Sequence, residues 1–168
     1  MNHSSRFTLT AAITMLLATA AFAQQVEKTV SIRTTVEGSQ RYISQAPNGG
    51  LDASSQTVGE RQTFIIVDAN GADLADCDVV QIKWVPPSGP ANFWQQSGDT
   101  IRREARPKGD DAKFTIKKTE KGISLQTAGG KFVAVTSKTK PFSLVDSVES
   151  AAVFEIAEVP AKTEPSPQ

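Results

Sequence analysis

A phenylalanine followed two residues later by isoleucine occurs three times in this chain: Phe64-x-Ile66, Phe114-x-Ile116 and Phe154-x-Ile156. Each copy closes a block of similar layout. The blocks open on Val30-Ser31-Ile32, Val80-Gln81-Ile82 and Ile123-Ser124-Leu125, and an apolar residue follows each opening residue by 21 positions, at Leu51, Ile101 and Leu144. The closing phenylalanine then lies 13, 13 and 10 residues further on. A recurrence in phase over most of a chain points to one supersecondary unit used three times, because a unit of that size cannot bury its apolar side alone.

Residues 1–23 stand apart from this pattern. A short polar start carrying Arg6 leads into a mostly apolar run from Phe7 to Ala20, and Ala21-Phe22-Ala23 precedes Gln24. Polar start, apolar middle and small-x-small end are the layout of a secretory signal peptide, and the apolar run is shorter than the roughly 20 residues a membrane span requires. Export is therefore expected, to periplasm or medium, with a mature chain of residues 24–168. Removing Arg6 leaves 17 basic against 18 acidic residues, a balance that calls for neither nucleic acid nor an anionic membrane as partner. The expected organisation is a signal peptide at 1–23, a single domain at 24–159 and a disordered Pro-rich tail at 160–168. A monomer with no membrane span in its mature form is expected.

Within that domain apolar residues recur at every second position, the period of strands, and nowhere convincingly at helical spacing. Val30 and Ile32 share a face, as do Val80, Ile82 and Trp84. Between such runs lie turn-forming stretches: Ala46 to Gly50, Asn70-Gly71, the three prolines of 86–90, Ser97-Gly98-Asp99 and Ala128-Gly129-Gly130. About twelve short strands in three groups of four result, an all-β fold.

The in-phase positions, Tyr42-Ile43 with Leu51 and Phe64-x-Ile66, Phe93-Trp94 with Ile101 and Phe114-x-Ile116, and Phe132-Val133 with Leu144 and Phe154-x-Ile156, resemble the fascin-like (actin-crosslinking-like) group of β-trefoils, in a secreted, bacterial-type form. The resemblance implies a β-trefoil of three four-stranded repeats, with the recurring aromatic and Phe-x-Ile residues filling one core. The Pro-rich loop and the two tryptophans of block two depart from that pattern. Tyr42-Ile43, Pro47 and Gly49-Gly50-Leu51 also resemble the plant Kunitz-type inhibitors, although one cysteine permits no internal disulfide.

The only histidine is His3, so Ser-His-Asp and Cys-His catalysis and His-ligated zinc have no imidazole in the mature chain. Cys77 alone builds no thiolate cluster. Between Asp76 and Asp78 it is expected to be a small, largely buried side chain with little thiolate character. The acidic run Asp68, Asn70, Asp73, Asp76 and Asp78 fails the register of a calcium loop, with Asp73 where glycine is required and Val79 where glutamate is required. No metal, cofactor or catalytic residue is expected. The candidate ligand residues are Trp84, Asn92, Trp94 and Gln95, in and beside the Pro86 to Pro90 loop, because indoles stack on sugar rings and anchor interfaces. Trp84 and Trp94 also carry a core reading, since the first shares parity with Val80 and Ile82 and the second replaces Ile43 and Val133. The Gln-x-Trp signature of ricin-type lectins is absent. The expected function is an exported, non-enzymatic binding module for a polysaccharide or a cell-surface partner. The alternatives are a protein-interaction module, such as a disulfide-free protease inhibitor or an envelope partner, and a glycoside hydrolase or its accessory.

Overall fold

The computed structural model describes residues 26–46, 49–68 and 74–160. The expected signal peptide, the Asn70-Gly71 turn and all but the first residue of the expected tail lie outside them.

Twelve strands are present among the described residues: β1 Val26–Val36, β2 Ser39–Gln45, β3 Leu51–Ser55, β4 Thr63–Asp68, β5 Val79–Trp84, β6 Asn92–Ser97, β7 Thr100–Glu104, β8 Phe114–Thr119, β9 Gly122–Thr127, β10 Phe132–Ala134, β11 Ser143–Val145 and β12 Phe154–Glu158. Three short 3-10 turns, at Glu60–Gln62, Gly109–Ala112 and Val148–Ser150, are the only helical pieces described. Period-two patterning thus becomes an all-β protein, and every ladder is antiparallel.

The expected three-repeat, fascin-like β-trefoil is corrected by how these strands pair. Hydrogen bonding closes a nine-strand antiparallel barrel in the order β1, β4, β5, β6, β7, β11, β10, β9, β12 and back to β1. The extra strands are β8, which bridges β5 and β9, and the hairpin β2–β3, which hangs from β1. The blocks are therefore not equal. Those of the second and third are stitched together where Ser143 pairs with Thr100, and there Ile101 N–H donates to Phe142 O at 3.1 Å and Leu144 N–H to Asp99 O at 3.1 Å. The middle strand of block one, β3, forms no such ladder with the third block among the described residues; there Ala53 N–H donates to the Lys138 carbonyl at 3.1 Å, in the loop after β10. Shared apolar spacing reports how deep a residue sits. It does not report which strand edges meet.

One core fills the barrel. Phe64, Phe114 and Phe154 are all fully buried in it, with Ile66 and Ile116, but Ile156 is only partly buried. The third block shifts again at its middle strand, where Phe142 is fully buried and the expected Leu144 only half so. Trp94 is fully buried and stands edge-on to Phe64, ring centroids 5.4 Å apart, and to Phe142 at 5.9 Å. Each such contact adds about 0.5–1.5 kcal/mol beyond burial.

Cys77 departs from expectation too. It is exposed, with φ of +68°, in a loop that clamps onto β8: Cys77 N–H donates to Ile116 O and Ile116 N–H to Asp78 O, both at 2.8 Å. Backbone bonding to the barrel sets this loop, and the thiol is left facing out, 3.4 Å from Lys117 Nζ.

Candidate functional site

Four residues singled out in the sequence end up in two different places. Trp94 and Gln95, adjacent in β6, are both buried. Trp94 belongs to the core. Gln95 Oε1 accepts the Lys108 N–H at 3.0 Å, which anchors the loop before β8. Trp84 and Asn92 are paired across β5 and β6 at the rim, each partly exposed. Asn92 Nδ2 donates to Pro90 O at 3.1 Å and so braces its own loop.

Trp84 is the last residue of β5, and Pro86 and Pro87 follow it. Prolines lack the amide that would continue the ladder, so the strand stops with its final side chain at the barrel mouth. The indole packs its inner edge on the core. Its Nε1 donates to Glu60 O at 2.9 Å, which fixes the ring against the short turn Glu60–Gln62. That turn is held in place in its own right, because Gln62 Nε2 donates to Ser44 Oγ at 2.6 Å.

Arg103 completes the arrangement from β7. It shares parity with the buried Ile101, so its side chain leaves the strand on the inward side. Its guanidinium carbon lies 5.4 Å from the Trp84 ring centroid, within cation–π range. Its Nε donates to Gly49 O at 2.9 Å. Gly49 has φ of +88°, and a Cβ there would come within 3.4 Å of Arg103 Nη2, so the loop backbone lies close against the guanidinium. Burial holds the Arg103 pKa below the ordinary arginine value, and the like charge of Arg61 pushes it the same way.

Sequence reasoning found Trp84 and Asn92 but missed Arg103, Arg61 and Glu60. The signal for Arg103 was present: an arginine stands two residues after Ile101, where alternation calls for an apolar side chain. Arg61 and the Glu60 carbonyl had no such mark, since both come to Trp84 only through the fold.

Next to this cluster runs an apolar groove of about 620 Å³, whose walls include Val58, Glu60, Ile65, Val85, Pro87 and Val159. Val58 and Val85 are exposed there at 42% and 50%. A more polar hollow of about 710 Å³ lies between Thr34, Lys121, Thr136 and Glu155. Among the described residues no three His, Cys, Asp or Glu side chains are placed to hold a metal ion, and no helix is long and apolar enough to cross a membrane. Asn70 and Asp73 of the acidic run lie outside the described residues.

No protein-family model matches the chain, and no curated protein does either. Among solved structures it is similar to Cry35Ab1, with a TM-score of 0.57 and 13% identity over 84% of this chain. The match spans 38% of Cry35Ab1, so this chain corresponds to well under half of that protein. At this identity the likeness concerns the fold alone. It replaces the fascin-like resemblance as the structural relationship of this chain.

Proposed function

We propose that the chain is an exported, non-enzymatic binding module that holds a carbohydrate at the Trp84 surface. The observation that carries this reading is the pre-set indole: hydrogen-bonded through Nε1 to Glu60 O and covered by Arg103, it sits partly exposed at the barrel mouth. An aromatic ring whose rotamer is already fixed loses little entropy on binding, and its apolar face suits the C–H face of a sugar ring. With no histidine after His3, imidazole-dependent catalysis has no residue to carry it.

A glycan array with the full-length protein tests the proposal. Trp84→Ala is expected to abolish the signal while far-UV circular dichroism still shows the folded β protein, with a melting temperature lowered by the lost packing but above the assay temperature. An array on which no glycan binds would remove the carbohydrate reading. Amino-terminal sequencing of protein recovered outside the producing cell should begin at Gln24 if residues 1–23 direct export.

The apolar groove favours a second reading, an envelope or extracellular protein as partner. Charge placed at Val58 and Val85 by Val58→Asp and Val85→Asp should then weaken co-purification of that partner and leave glycan binding unchanged.

A further inference from the structure

Arg103 and Arg61 stand beside Trp84 without a carboxylate partner among the described residues. Other cations of the barrel do meet carboxylates: Arg33 meets Glu155 at 2.6 Å, Lys83 meets Glu27 at 2.6 Å and Lys138 meets Glu37 at 2.8 Å. The two unpaired arginines flank Trp84: Arg103 lies over its ring at 5.4 Å, and Arg61 follows Glu60, whose carbonyl takes the indole N–H. Arg103 is also partly withdrawn from water, and burial and the like charge of Arg61 lower its pKa. Like charges held together and partly desolvated are costly unless an anion joins them.

Geometry indicates where that anion belongs. The Arg103 Nε is already engaged by Gly49 O, and the guanidinium plane lies over the indole. Among the described residues its Nη groups have no hydrogen-bond acceptor, and guanidinium forks match carboxylate and sulfate oxygens in pairs. Arg61 stands on the surface of the Glu60–Gln62 turn, which also holds Trp84. Ring-stacking surface and anion receptor thus share one rim.

Resting on the binding-module reading above, we infer that the Trp84 surface selects an anionic polysaccharide, with Arg103 and Arg61 receiving its carboxylate or sulfate groups. A neutral glycan leaves both cations unanswered. A nucleic acid would require a longer basic track than a near-neutral chain with a few clustered arginines supplies.

Two matched pairs of probes test this with the full chain: oligogalacturonate against its methyl ester, and dextran sulfate against dextran. The charged member of at least one pair should bind about tenfold or more tighter, and added salt should erode that preference because exposed charge is screened. Arg61→Gln and Arg103→Gln should each bring the charged probe towards the affinity of its neutral partner. Arg61 is exposed and its turn buries no residue, so the Arg61→Gln protein folds regardless and keeps the test open. Equal binding of charged and neutral members overturns the anion inference but leaves the carbohydrate reading standing. Binding to none of the four overturns both. A charge preference that survives both substitutions, or single-stranded DNA of equal charge binding as tightly as the glycan, overturns the assignment to this site.

Discussion

Trp94 and Trp84 show how much a single position decides. Their side chains are identical, but Trp94 lies mid-strand over the core and Trp84 ends a strand at the mouth. Trp94→Ala removes the ring that bridges Phe64 and Phe142 and should cost about 3–5 kcal/mol, read as a lower denaturation midpoint with an unchanged slope. The parity of Trp94 with Ile43 and Val133 made its burial legible from sequence. The partial exposure of Trp84 was not, because it depends on Pro86 and Pro87 ending the ladder and on a turn 24 residues upstream accepting its N–H. Cys77 was misread for a similar reason. Its neighbours in sequence describe its charge, but the backbone bonds to Ile116 determine that it faces outward.

At the scale of elements, most strands were legible because alternation is a local property, whereas pairing is not. The β9–β12 contact is an example. Gly122 has φ of +151°, and a Cβ on it would run into the carbonyl oxygen of Phe154. Gly122→Ala should therefore destabilise by more than the roughly 1 kcal/mol expected from backbone conformation alone. Gly38, at φ of +72° with open space around it, gives the control: Gly38→Ala should show the conformational cost without the clash, and the difference between the two in urea denaturation measures how closely β9 and β12 approach. The Ala75–Asp78 loop is an element of another kind, fastened to β8 by main chain and by Asp76, whose carboxylate accepts the Lys118 N–H at 2.8 Å. That bond, the Cys77 thiol and nearby Lys117 hold the Asp76 pKa below the ordinary 3.8. A depressed folded-state pKa gives a fastening present above the unfolded value and lost as pH falls through the folded one. The Lys118 amide should accordingly exchange faster, relative to its neighbours in β8, once acid drops below the ordinary aspartate range.

For the whole molecule the same sign applies to several surface carboxylates. Glu37 is lowered chiefly by its hydrogen bond from Lys138, Asp110 by that from Lys113, and Glu149 by its own backbone N–H together with Ser147. With no histidine among the described residues, the melting temperature should be flat from about pH 6 to 8 and decline only on the acid side, where these groups protonate. An inflection near neutrality would contradict this. All-β character was legible in the sequence, because a period of two survives any arrangement of strands. The closed nine-strand barrel was not, because it depends on contacts such as Ser143 with Thr100, which no periodicity encodes.

The first strand carries a consequence beyond packing. β1 bonds to β4 along its early half and to β12 along its middle, from Val30↔Glu158 to Thr34↔Phe154. The barrel's opening segment thus waits for its last one, and the cooperative unit cannot assemble until nearly the whole polypeptide has been synthesised. Contacts so distant along the chain make for slow folding. A chain stopped before Phe154 should leave two bare ladder edges, on β1 and β9, and collect in the insoluble fraction. Such delayed closure keeps a newly made chain extended for longer, a state any passage through a narrow pore demands.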